Sequence, residues 1–168
     1  ASGVVLESGE EIDAPVVVSA LDPRRTFLEL VDPLELPTDL VQGIENYKFQ
    51  GTSAKVNFAL DGLPQHPAAS FSTDMLRGFI NLGPTVDYIE RAFDDAKDGS
   101  YRRRPYLDGC VQSLVDPDMS PPGKHVMSCF VQYAPYELAD GDWETERDAF
   151  GDTVQTTIEE YFPGFGDL

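Results

Sequence analysis

Cysteine is almost missing from these 168 residues. Only Cys110 and Cys129 occur, far apart and flanked by apolar or small residues, so neither a disulfide framework nor a C-x-x-C metal or redox motif is written here. Both read as reduced sheet or core residues. Histidine is as scarce: His66 and His125 are widely separated, and a zinc site on either would need carboxylates recruited from elsewhere. Basic residues are outnumbered, 12 Lys and Arg against 30 Asp and Glu, and the formal charge of −18 repels phosphate backbones and anionic membranes. Nucleic acid is therefore not an expected partner. Apolar runs are short, Val16 to Val18 being typical, and the first residues carry no basic-then-apolar leader. The expectation is a soluble, cytoplasmic protein with no transmembrane segment.

Several motifs are lacking as well. No Walker loop and no G-x-S-x-G elbow occurs. Gly164-Phe165-Gly166 echoes a dinucleotide glycine motif, but it follows a helical pattern instead of a strand and reads as a helix C-cap. Asp116-Pro117-Asp118 opens like a calcium loop, yet Pro121 stands where the sharp-turn glycine is needed and Met127 where the bidentate Glu belongs. It reads as an ordinary turn.

What is present is a globular composition, with 41% hydrophobic and 11% aromatic residues and 14 Gly and 13 Pro spread without a period. The length suits one domain, or one domain with a stray element from a neighbour. Gly3 to Ile12 reads as two short strands around Ser8-Gly9. After Pro15, Val16 to Ala20 has the unbroken apolar character of a strand covered on both faces. Nothing else in the first fifty residues could supply the sheet around it, so the run is expected to lie bare and to favour self-association.

Asp22-Pro23 opens a short helix through Thr26 to Leu30, and a second runs from about Thr38 to Asn46. Thr52 to Leu60 alternates, with Ala54, Val56, Phe58 and Leu60 on one face and Ser53, Lys55 and Asn57 on the other. Gly78 to Leu82 is a further strand. Thr85 to Lys97 places Val86, Ile89, Phe93 and Ala96 on one helical stripe. Tyr106 to Leu114 and His125 to Ala134 read as strands, and Asp142 to Tyr161 as the last helix, ended by Pro163-Gly164. The order predicts an α+β fold, a mixed or antiparallel sheet with helices packed on one side.

Candidate site residues are few. Lys55 and Asn57, two apart on a strand, point the same way and could line a cavity floor, although solvent exposure is the plainer reading. His125 opens a strand, where a hydrogen-bonded structural role competes with a site role. Arg102 to Arg104 read as internal ion-pair donors, and the acidic C-terminal stretch as a solvated helix face.

The stretches VVVSALDPRRTF (Val16 to Phe27), GTSAKVNFALDGLP (Gly51 to Pro64), VDYIERAFDDAK (Val86 to Lys97) and PPGKHVMSCFVQYAPY (Pro121 to Tyr136) resemble the phytoene dehydrogenase-related flavoproteins. The resemblance is collinear over nearly the whole chain. It departs at Leu21, where the family usually shows a small residue, and at Leu107 to Ser113, where a more apolar stretch is expected. It implies an FAD-dependent oxidoreductase of amine-oxidase or desaturase type, with an FAD domain assembled from separated segments and an inserted substrate domain.

On this basis residues 1–22 correspond to an FAD-domain strand pair and return strand, and residues 23–168 to the substrate-binding domain. Lys55, Asn57, His125 and Gln132 would line the substrate side. FAD belongs to the intact parent, and no catalytic, cofactor-binding or metal residue is expected in this stretch. The implied partners are a small apolar or amine-bearing substrate, the parent's FAD domain and, through bare apolar surface, another copy of the chain. The rival reading is a non-catalytic acidic interaction module.

Overall fold

A computed structural model describes residues 1–48 and 51–168. The chain divides into two compact units, Ala1–Phe49 and Gln50–Leu168.

In the first unit β1 (Gly3–Val5) and β2 (Glu11–Asp13) pair antiparallel, with Val4 opposite Ile12. The turn is the Ser8-Gly9 turn expected from sequence, with Gly9 at φ +84°. The strand expected over Val16 to Ala20 does not form. A strand needs a neighbour's donors and acceptors, and among the described residues the unit's one sheet pairs only β1 with β2. Val16 and Val18 are 73% and 87% exposed, as expected for a run without cover. Asp22 Oδ1 accepts the Arg25 N–H at 3.0 Å and starts a short helical turn, Arg25–Glu29. Pro33 and Pro37 interrupt the chain before α1 (Thr38–Glu45), whose Ile44 is buried.

The second unit is built on four antiparallel strands: β3 (Ser53–Leu60), β4 (Ile80–Leu82), β5 (Tyr106–Val111) and β6 (His125–Gln132). Their order is β3-β6-β5-β4. The register stacks like with like. Val56, Cys129, Gly109 and Ile80 form one row across the sheet, and Phe58, Met127 and Val111 form the next. The face they make is apolar. It is covered by α3 (Trp143–Glu159) through buried Phe150, Val154 and Ile158, and by Phe162 and Phe165 beyond it.

The helices end as their sequences require. Thr85 Oγ1 accepts the Tyr88 N–H at 3.1 Å to open α2 (Val86–Lys97), which packs against β5 and β6 and buries Ala92 and Ala96. It closes at Gly99, where φ is +76° and a Cβ would lie 2.8 Å from the Ala139 nitrogen. Only glycine meets both conditions. Asp142 caps α3, its Oδ1 accepting the Thr145 N–H at 2.9 Å.

Strands β5 and β6 stop short of the expected Leu114 and Ala134. Gln112–Leu114 tightens into a 3-10 turn that brings Ser113 back to the start of β6, and beyond Gln132 the Ala134 N–H reaches the Thr52 carbonyl. The α+β class and the antiparallel sheet are as expected. No helix among the described residues is long and apolar enough to cross a membrane.

Candidate functional site

The face of the sheet opposite α3 is polar. Because side chains alternate along a strand, Lys55 and Asn57 share this face and stand opposite in direction to Val56 and Phe58. Register then brings other strands to them. Lys55 is paired with Phe130, Phe130 with Asp108 and Asp108 with Asn81, giving one row across all four strands. Asn57 is opposite Ser128, whose hydroxyl donates to Asn57 Oδ1 at 2.7 Å, and Ser128 is opposite Cys110. Gln132 faces Ser53 on one side and Tyr106 on the other, its Nε2 3.4 Å from Ser53 Oγ.

Three of the expected site residues, Lys55, Asn57 and Gln132, therefore meet on one surface. His125 does not join them. It starts β6 at an odd separation from Gln132, so it lies on the other face, where its Nδ1 is 3.1 Å from Ser113 Oγ while that oxygen accepts the Val126 N–H. This is the hydrogen-bonded structural placement.

Asp108, Asn81 and Tyr106 belong to the polar face and were not singled out in the sequence. Asn81 Nδ2 donates to Asp108 Oδ1 at 2.7 Å and lies 3.3 Å from the Tyr106 hydroxyl. Partial burial pushes the Tyr106 phenol up, and the Asp108 carboxylate adds to it. The polar alternation of Tyr106, Asp108 and Cys110 between Leu107, Gly109 and Val111 is the signal that could have found them.

A second feature adjoins this face. A cleft of about 1000 Å³ runs beside β3 and is lined by residues of both its faces, Ala54 and Val56 as well as Lys55 and Asn57. Its opposite wall is the N-terminal half of α3 with Trp143, Phe150 and Gly151. Trp143 is fixed there: its Nε1–H donates to the Pro135 carbonyl at 3.0 Å, and its ring stacks on Tyr101 at 5.8 Å. The Tyr101 hydroxyl in turn donates to Glu146 at 3.0 Å.

A flavin dinucleotide asks for a glycine turn joining a strand to a helix N-terminus, which cradles its pyrophosphate. The described helices do not fit that demand: α2 follows β4 through Gly83, but the Tyr106 ring fills the space beside that glycine and Thr85 Oγ1 already accepts the Tyr88 N–H. α1 follows Leu36-Pro37 instead of a strand. The start of α3 already holds the Asp142 carboxylate, kept below its usual range chiefly by the Thr145 N–H. The amides of Gly164 and Gly166 are taken by Glu159, whose carboxylate they lower in the same way.

Nor do the two thiols make a redox pair. Cys110 and Cys129 sit on neighbouring strands but opposite faces, and burial pushes the Cys129 thiol up to about 12. Among the described residues no group of three His, Cys, Asp or Glu side chains converges as a metal site. Arg102 and Arg104 are ion-paired with Asp95 and Glu160, at 3.1 and 2.8 Å, as the sequence suggested.

The molecule's second unit is thus an antiparallel sheet with a helix on its apolar face, an open polar face, and a cleft along one edge. No protein-family model matches the chain. It is similar to mouse pyridine nucleotide-disulfide oxidoreductase domain-containing protein 2, 40% identical over 174 aligned positions that cover 98% of this chain and 30% of that protein. The rat protein of the same name is 39% identical over 172 positions, covering 97% and 29%. The chain spans about three-tenths of the length of these curated relatives.

Proposed function

We propose that the chain is part of a flavin-dependent oxidoreductase related to the phytoene dehydrogenases, and that residues 23–168 form its substrate-binding side. What carries the reading is the 40% identity, maintained along 98% of the chain, to a protein named as an oxidoreductase domain-containing protein. In this reading the flavin is FAD, held by polypeptide outside these residues, and it accepts hydride from an apolar or amine-bearing substrate. Residues 1–22 belong with the FAD domain.

The polar face supplies orientation. Lys55, Asn57 and Gln132 place donors on one surface beside the Phe130 ring, a combination suited to holding a polar end of a substrate whose remainder is apolar. The formal charge of −18 favours the rival, an interaction module without catalysis.

The discriminating experiment is to express the longer polypeptide from the same reading frame in parallel with the 168-residue chain. Stoichiometric flavin absorbance in the longer protein, its anaerobic bleaching by an amine or polyene substrate, and slower bleaching in Lys55→Met at unchanged flavin content are expected. A longer protein that folds without flavin would sink the oxidoreductase reading and leave the module.

A further inference from the structure

The cleft beside β3 is bounded by an unfinished sheet. β3 pairs with β6 through eight consecutive residue pairs and has no second strand partner among the described residues. In an antiparallel strand alternate residues turn their N–H and C=O away from the existing neighbour, so this edge presents a row of free donors and acceptors to the cleft. The usual protections of an edge are slight here. Ser53–Leu60 contains no proline, its register has no bulge, and Lys55 is its one charge.

We propose that this edge is completed by an extended segment of the same polypeptide from outside these 168 residues, entering the cleft as an added strand with alternating apolar and basic side chains. The apolar requirement comes from one wall, where Val56, Phe58, Phe150 and Trp143 would receive every second side chain. The basic requirement comes from the rim. Glu144, Asp148 and Asp152 recur every fourth residue along α3 and line the cleft, and the cation among them, Arg147, already contacts Asp148 at 3.3 Å.

The source follows from charge and length. A second copy would bring another body of charge −18 and another acidic rim against the first. Seven-tenths of the matched relatives lies outside the aligned stretch, enough chain to supply a strand. The proposal shares with the functional reading only the premise of a longer polypeptide and requires no flavin.

Hydrogen exchange at β3 tests it, comparing the 168-residue chain with the longer polypeptide from the same reading frame. The outward amides of Ser53–Leu60 are expected to be slowed by about 100-fold or more in the longer protein alone, while the amides bonded to β6 are protected in both. Gly151→Phe projects a ring into the cleft from a position where a Cβ meets nothing within 4 Å, and should restore fast exchange of the outward amides. Charge reversal at Glu144, Asp148 and Asp152, which line the cleft, should do so in part.

Equal exchange in the two proteins, or a reading frame ending at Leu168, would overturn the proposal. Protection that grows with concentration in the short chain would overturn it in favour of a second copy. A flavin-free longer protein with a protected β3 edge would uphold it while the oxidoreductase reading failed.

Discussion

Replacing Gly151 by alanine should stabilise the protein. Gly151 lies inside α3, away from either end, and its φ is not in the left-handed region. An ideal Cβ there meets nothing within 4 Å, so the methyl neither clashes nor gains a contact. The whole effect then comes from the backbone: glycine loses more freedom on folding than alanine, a difference of about 0.5–1 kcal/mol inside a helix. For a chain of this size the corresponding rise in melting temperature is about 1–4 °C, and the urea midpoint should rise with an unchanged slope. A calorimetric scan beside a urea titration measures both. A loss of stability would refute the reasoning, since it would mean that the cleft wall at Gly151 is closed or that α3 is not helical there in solution. An unchanged midpoint with a changed slope would show that the substitution acts on the compactness of an end state instead.

The opposite result is expected at Gly99→Ala, where a positive φ and the Ala139 backbone at 2.8 Å act together, and urea unfolding should show a loss of at least about 1 kcal/mol. Ile158→Ala, at a fully buried position under the sheet, should cost about 2–5 kcal/mol in the same assay. Thiol titration at pH 8 should label Cys110 in the native protein, whereas Cys129, with its thiol pushed to about 12 by burial, reacts only on unfolding. Asp142 and Glu159 are both held below their ordinary values of 3.8 and 4.5 in the folded state, so their contribution is present above those values and lost as pH falls through the lowered ones. The variant Asp142→Asn with Glu159→Gln should flatten the acid limb of a stability-against-pH curve.

The elements that could be read from sequence are those whose signal is local. α2 shows its helical spacing and its Gly99 stop within a short stretch of chain, and the structure follows both, while of the expected stripe Val86 stands 81% exposed at the first turn and the buried positions are Ala92 and Ala96. β3 is legible for the same reason, because an alternation that long can belong only to a strand with one covered face. Val16 to Val18 has the composition of a buried strand and none of the structure. Composition says what a segment would do beside a partner, and the partner is not in the described residues.

The candidate site was legible by strand but not across strands. That Lys55 and Asn57 share a face follows from their spacing alone, whereas Asp108, Asn81 and Ser128 reach them only through register, which depends on pairings between segments far apart in the chain. His125 is the instructive case, because its odd separation from Gln132 on one strand already assigns the two to opposite faces, which counting alone could have shown. The edge of β3 is a different kind of feature. Nothing in Ser53–Leu60 distinguishes a central strand from an edge strand, since both require one apolar face and both tolerate a single lysine. Only the strand order shows that, among the described residues, a row of backbone groups lacks a second strand, and only the acidic row on α3 beside it gives that edge a sign. Charge and hydrogen-bonding direction together narrow what can fill the cleft, where apolar area alone would accept almost any segment.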